Sequence, residues 1–355
     1  MQMAVKPFSL RRLFVCALAL IALTAPAALL AQERLRLLAW PGYADADLVR
    51  AFERRFGVDV DVTFIDSDDV LWEKVSRNDG GDYDVFAVNT AELQRYIDQG
   101  LVVPIDLAHI PNHARQLPRF RALESIPGVT RQGRAYAVPY TYSEMGLIYN
   151  RRTVAHPPQS MADMWLPEYR GKVLAYNTSN HNFSVAALLM GARNPFRLSD
   201  AELAEAARRL VKLRRNVLTF YTSPEEAATL YMRNDVALVF ANYGRQQVEA
   251  LRAAGADVGY VIPREGALAW LDCWVVTRGA RNRAVAERWI NYTLEKEVSG
   301  RLSTVHGLAN TVTPFRADES QENLVWLEPL ESYAKRKALW DRILSGDILE
   351  AFRQP

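Results

Sequence analysis

Cysteine is close to absent from this chain: of 355 residues only Cys16 and Cys273 carry a thiol. Cys16 lies in an apolar N-terminal stretch, and without that stretch a single thiol remains, so no intrachain disulfide can form. The fold must rest on its core, which a chain of this length can bury in one large domain or two. An excess of one charge is lacking as well. The 43 basic and 41 acidic residues nearly cancel, which argues against a nucleic-acid binder. Motifs of catalysis are missing too: no G-x-x-x-x-G-K-[ST] loop, no G-x-G-x-x-G fingerprint and no G-x-S-x-G elbow. His109, His113, His156, His181 and His306 show no H-E-x-x-H spacing, and Pro111 spoils the pair His109 and His113, so no metal site or other cofactor is expected. Together these absences point away from an enzyme.

What is present begins with a leader. Lys6, Arg11 and Arg12 precede an apolar run from Leu13 to Leu23, and small residues follow up to Ala28-Leu-Leu-Ala31. This reads as a secretory signal peptide over residues 1–31, cleaved after Ala31, with Ala27 and Ala28 as the other candidates. Leu13-Phe14-Val15 before Cys16 lacks the small residues of a lipidation site. Removing the leader leaves 40 basic against 41 acidic residues. No second long apolar segment follows, so a soluble protein exported to a bacterial periplasm is expected.

Strands and helices then alternate. Arg34 to Ala39 reads as a strand, Asp45 to Phe56 as a helix stopped by Gly57, and Val58 to Ile65 as a strand. Ser67 to Arg77 reads as a helix with Ser67 or Asp68 as its N-cap, Asp84 to Val88 as a strand, and Thr90 to Gln99 as a helix. A second such unit runs through Lys172–Tyr176, the helices Phe183–Gly191, Asp200–Leu213 and Glu225–Met232, the strand Val236–Ala241 and the helix Gln246–Ala254. This spacing predicts α/β lobes, each a mainly parallel sheet flanked by helices. Extended segments near 140 and 270 lie at either end of the middle unit, so one lobe is expected to be inserted into the other, with these segments as a hinge of crossover strands lining a cleft. The expected division is residues 32–140 plus 275–320 for lobe 1 and 141–274 for lobe 2. A C-terminal helical segment, 321–355, should pack on lobe 2 or across both lobes.

The stretch Gly266-Ala-Leu-Ala-Trp270-Leu-Asp272-Cys-Trp274 carries the most chemistry. Alternation in a strand puts Trp270, Asp272 and Trp274 on one face. A carboxylate flanked by rings suits an organic cation; a core strand whose Asp meets a backbone donor fits the pattern equally well. Trp40-Pro-Gly-Tyr43 directly follows the first strand, where ligands of open α/β sheets bind, though a Trp closing a sheet edge would look the same.

Trp40-Pro-Gly-Tyr43, Asp82-Tyr-Asp-Val-Phe, Tyr136-Ala-Val-Pro-Tyr140 with Gly146-Leu-Ile-Tyr-Asn150, Trp165-Leu-Pro-Glu-Tyr-Arg-Gly171, Ile262-Pro-Arg-Glu-Gly266 with Trp270-Leu-Asp272, and Trp289-Ile-Asn-Tyr292 occur in an order that resembles the periplasmic spermidine/putrescine-binding proteins of ABC importers. The resemblance covers about 33 to 315. It implies a two-lobed, type II periplasmic binding fold, capture of a polyamine between the lobes without catalysis, and delivery to an inner-membrane ABC permease; a monomer is expected. It also implies a ligand site built from Trp40, Tyr43, Asn89, Thr90, Tyr142, Trp270 and Asp272, with Thr178, His181 and Asn242 from the second unit.

The sequence departs from that family in three places. Asn177-Thr-Ser-Asn-His181 holds no carboxylate where acidic residues are common, Ala241 replaces a Trp, and Leu308 replaces a Tyr. One end of the ligand then lacks an anion. Glu144 could supply it; alternatively the ligand is a mono-amine or zwitterion such as a γ-amino acid, whose carboxylate Arg245 would hold. In each case a solvated surface residue is the plainer reading. A ferric- or anion-binding relative of the same fold would need clustered Tyr or Arg, for which Tyr140, Tyr142 and Tyr243 are candidates.

Overall fold

The protein is described by a computed structural model covering residues 1–2, 33–314 and 323–346. Almost all of the expected signal peptide lies outside these residues.

Fifteen strands are found among the described residues: β1 (Glu33–Ala39), β2 (Val58–Phe64), β3 (Val85–Asn89), β4 (Val102–Val103), β5 (Thr130–Arg131), β6 (Arg134–Ala135), β7 (Val138–Met145), β8 (Leu147–Asn150), β9 (Val173–Tyr176), β10 (Val217–Tyr221), β11 (Leu238–Phe240), β12 (Val258–Val261), β13 (Ala267–Thr277), β14 (Ala309–Asn310) and β15 (Leu324–Trp326). They make two main sheets. The first has the order β14-β7-β13-β3-β1-β2, with β4 and β15 also paired to β13; the second has the order β10-β9-β11-β8-β12. The parallel cores expected from the strand–helix alternation are there, β2-β1-β3 and β10-β9-β11. Each sheet is nevertheless mixed. The chain's returns between sheets enter as antiparallel neighbours: β13 beside β3 and β7, and β8 beside β11 and β12.

Helices cover the sheets. Ala46–Phe56 buries Leu48, Val49 and Phe52 and ends at Gly57 in the left-handed conformation, the usual way to close a helix. Ser67 caps Asp68–Ser76, its hydroxyl accepting from the Val70 N–H at 3.3 Å. Asn89 caps Thr90–Asp98 through Glu92 N–H at 2.9 Å. The helix expected from Phe183 starts earlier, at Ser179. Its first turn is polar and yet buried, so it shows no apolar stripe from which to read a helix.

The lobes meet at different residues from those expected. β7 and β13 pair with each other from Leu268↔Met145 to Trp274↔Val138, so both belong to the first sheet over their whole length. The division at 140/141 and 274/275 therefore falls inside this sheet. The chain crosses instead at Gly146 and within the turn Pro263–Gly266, closed by Gly266 N–H to Pro263 O at 2.9 Å. Gly146 has a steric reason: a Cβ there would lie 2.3 Å from the carbonyl oxygen of Val261. After β15, the helix Tyr333–Ser345 packs on the second-lobe helices Ser179–Leu189 and Asp200–Arg214. It is anchored by Arg336, fully buried and bonded to Glu331, Asn180 O, Ser184 and Pro195 O. Among the described residues no helix is long and apolar enough to cross a membrane.

Candidate ligand-binding cleft

A cleft opens where the two sheets face each other. It is lined by Trp40, Tyr43, Asp68, Asn89, Trp270 and Asp272 from the first lobe and by Tyr176, His181, Asn242, Tyr243 and Gln246 from the second. The lobes are closed on it: Tyr176 Oη donates to Asp66 O, Trp270 Nε1 to Asn242 O at 3.2 Å, and Gln246 Nε2 to Pro41 O at 3.0 Å. The free volume left inside is about 40 Å³, room for only a few waters.

The aromatic walls follow from local sequence. Trp40 leaves β1 into a turn in which Tyr43 N–H bonds Trp40 O at 3.1 Å. Pro41 fixes one central φ, and Gly42, at φ +88°, accepts the left-handed position that a type II turn requires. The turn sends Tyr43 back under β13, where its hydroxyl donates to Asp272 Oδ2 at 2.6 Å. Asp272 sits opposite Asn89 on β3 and Thr141 on β7, beside a register shift at Asp272/Cys273; such irregularities commonly re-aim a side chain near a site. Alternation holds along β13. Trp270 and Asp272 face the cleft, while Leu271 and Cys273 point to the opposite core. Trp274 shares the cleft-side face but is fully buried against Tyr140, Tyr43 and Trp289, so it is a core residue.

The electrostatics centre on two carboxylates. Asp272 is 7% exposed and Asp68 6%. Burial raises the pKa of Asp272 to about 7, against the opposing Tyr43 hydrogen bond. Burial also raises that of Asp68, partly offset by the nearby Arg95 guanidinium. The charge of Asp68 adds to the upward shift of Asp272. The phenol of Tyr43 is pushed far up by burial and then by Asp272, so it stays a neutral donor. His181 goes the other way: burial lowers it to about 4, so it is neutral at physiological pH. Its Nδ1 bonds Asn242 Oδ1 at 2.7 Å, which leaves Nε2 as an acceptor 3.9 Å from Asp68 Oδ2. The cleft is therefore an acceptor-rich, aromatic-walled chamber with two carboxylates that, among the described residues lining it, have no cationic partner.

Of the residues singled out from the sequence, Trp40, Tyr43, Asn89, His181, Asn242, Trp270 and Asp272 come together here. The other five lie elsewhere. Thr90 faces a separate cavity behind the sheet, with Arg119, Phe120 and Trp326. Tyr142 is buried on that same side, 5.1 Å from the Phe120 ring, because it pairs with Leu271 across the strands and so alternates away from Asp272. Thr178 is buried before the helix Ser179–Leu189 and is not among the lining residues. Glu144 and Arg245 answer each other: Arg245 Nε lies 3.0 Å from Glu144 Oε1 across the lobe junction, with its guanidinium over Tyr260 at 5.1 Å. Neither lines the cleft. Sequence reasoning missed Asp68, Tyr176 and Gln246, and had Tyr243 only as a candidate for the ferric- or anion-binding alternative. Asp68 was weighed only as a helix cap; with Ser67 taking that role, its carboxylate is released to the cleft, where Asn89 Nδ2 approaches it at 3.3 Å.

The tyrosines of the metal-binding alternative do not cluster. Tyr243 lines the cleft and donates to Thr222 O at 2.6 Å, Tyr140 is packed among Tyr43 and Trp274, and Tyr142 lies behind the sheet. Burial pushes the phenols of Tyr140 and Tyr243 well up, so neither is a ready phenolate ligand.

Comparison with known proteins agrees with the architecture. The model of the family described as bacterial extracellular solute-binding protein matches residues 47–326. The spermidine/putrescine-binding periplasmic protein 1 of Haemophilus influenzae is 25% identical over 286 residues, covering 80% of this chain and 77% of the relative. A putrescine-binding periplasmic protein of Escherichia coli is 25% identical over 347 residues, covering 89% and 92%. Among solved structures, the Tp0655 (TpPotD) lipoprotein of Treponema pallidum shares the fold with a TM-score of 0.75 at 20% identity, over 88% of this chain and 99% of that one. The chain is thus a member of the bacterial extracellular solute-binding protein family, with the two-lobed fold of that family.

Proposed function

We propose that this protein is the periplasmic solute-binding component of an ABC importer and that it captures a polyamine of the putrescine and spermidine class. The observation that carries the reading is the pair of buried carboxylates, Asp272 and Asp68, in one aromatic-walled cleft that no cation lines among the described residues. Isolated buried carboxylates are costly, and a flexible chain with an ammonium at each end offsets that cost at both. Asp272, oriented by Tyr43, takes one ammonium; Asp68, with His181 Nε2 and Asn89 beside it, takes the other. Trp40, Trp270, Tyr176 and Tyr243 cover the methylenes between, and their ring faces attract the cations. The names of the relatives point to the same ligand class. A zwitterion would need a cation for its carboxylate, and Arg245 is engaged by Glu144 outside the cleft.

Capture runs through the lobes. Ligand meets the charged first-lobe wall in the open form. Rotation about Gly146 and Pro263–Gly266 then brings Tyr176, His181 and Asn242 over it, and the closed pair of lobes is the surface a permease would recognise. Export by residues 1–31 and action as a monomer complete the reading. Calorimetry with putrescine, spermidine, agmatine and γ-aminobutyrate tests it. Binding of at least one polyamine with micromolar or tighter Kd, about −8 kcal/mol, is expected. The absence of both heat and a thermal shift with every amine would overturn it.

A further inference from the structure

The buried charge of the cleft extends one layer behind Asp68. Glu92, 3% exposed, lines a small chamber of about 10 Å³ that shares Asn89 and His181 with the main cleft. Its Oε1 accepts from Asn180 of the second lobe at 2.9 Å, and its Oε2 lies 2.7 Å from Arg95 Nη2. The same Arg95 nitrogen donates to the main-chain oxygen of Asp68 at 3.1 Å. The guanidinium carbon lies over the rings of Trp72 at 4.3 Å and Tyr333 at 4.5 Å, and the side chain is 13% exposed. Trp72 belongs to the helix of Asp68 and Tyr333 to the C-terminal helix, so three elements fix one cation beside the cleft without letting it enter.

The charges can be counted. Asp272, Asp68 and Glu92 are buried acids around the cleft, and Arg95 is the buried base among them. Other charges nearby are matched outside it: Glu144 with Arg245 and Glu331 with Arg336. We propose that Arg95 is a specificity-determining positioning residue, which cancels one of three buried carboxylates and so leaves the cleft, once a bound cation has ionised its acids, a charge of minus two, matched to a diamine dication rather than to a triamine or a monoamine. This inference rests on the polyamine reading above and names the member of that class. A third ammonium enclosed here would have no partner, and a single ammonium would leave one carboxylate uncompensated; either imbalance is costly in a buried site. Arg95 lines neither chamber, so it acts through Asp68 and Glu92 rather than by touching ligand.

The test is calorimetry of putrescine, spermidine and butylamine against the wild type, R95Q, R95K, E92Q and the double variant R95Q/E92Q. The wild type should prefer putrescine. R95Q should move the putrescine-to-spermidine preference toward spermidine by about tenfold, and R95K should keep the wild-type preference because it keeps the charge. E92Q, which lowers the count to minus one, should weaken putrescine by about tenfold while sparing butylamine. The double variant should return to the wild-type preference, whereas a purely structural role predicts that each single variant weakens all three amines alike, with no shift of preference in either. If R95Q fails to fold, E92Q and the double variant decide alone. An unchanged preference in R95Q, or no restoration in the double variant, overturns the charge-matching role. A wild type that binds none of the three amines overturns the polyamine reading itself.

Discussion

The two walls of the cleft divide the work unevenly. The first lobe brings both cleft carboxylates, Asp68 and Asp272, together with Trp40, Tyr43 and Trp270. The second brings only neutral groups, Tyr176, His181, Asn242, Tyr243 and Gln246. The first-lobe wall is also built before closure: the Tyr43 bond to Asp272, the Asn89 approach to Asp68 and the Trp40 Nε1 bond to Ala87 O at 3.2 Å all stay within that lobe. The second-lobe wall reaches the first through hydrogen bonds such as Tyr176 to Asp66 O. In the proposed capture, one wall fixes what is bound and the other decides when the site closes.

That contrast can be broken by substitution, and the largest effect should come from Asp272. Asp272→Asn should cost about 100-fold or more in amine affinity while the melting temperature holds or rises, because a buried carboxylate is removed without losing volume; an unchanged affinity would take Asp272 out of the site. Asp68→Asn should cost less, about 10- to 100-fold, since His181 and Asn89 remain beside that end. Titration of diamine affinity and of melting temperature checks both.

A pH series sharpens the same point. A carboxylate whose pKa is raised by folding, from about 4 to about 7 for Asp272, binds its proton more tightly when folded. Its contribution to stability is fully present below about pH 4 and lost as pH rises through about 7. Binding of a cation needs the deprotonated form, so affinity should rise from pH 6 to pH 8 with net release of protons, which calorimetry in buffers of different ionisation enthalpy measures. A flat profile would show that Asp272 is already ionised in the free protein.

Smallest of all should be the second-lobe changes. Tyr176→Phe removes the cross-lobe bond to Asp66 O and should weaken binding by only about three- to tenfold, through faster dissociation. A loss as large as that of Asp272→Asn would mean that the lobes do not divide as described.

How much of this was legible in the sequence varies residue by residue. Asp272 could be picked out because a strand's two-residue period is local, and Trp270 and Asp272 had to share a face whatever the fold. Trp40 and Tyr43 were legible because Pro41-Gly42 dictates a turn just past a strand. Tyr142 was expected in the cleft from the resemblance, and misled because only the pairing with Leu271 on β13 decides which side of the sheet it takes. Asp68 was hidden in Asp66-Ser67-Asp68-Asp69, where acidic residues at a helix start are ordinary. Only the second lobe, arriving with His181 and Asn180, turns that surface position into a buried one.

The sequence by itself determined the class of protein: two α/β units joined by extended crossovers, no catalytic or metal motif, and one carboxylate between aromatics on a strand. These follow from periodicity and turn chemistry, which act within a few residues. Tertiary structure alone decided which charges are matched. It set Glu144 against Arg245, removing both from the cleft, and it left Asp68 facing Asp272. The physical reason is that the energy of a charge depends on burial and on partners brought from 100 or more positions away in the chain, as Arg245 is from Glu144.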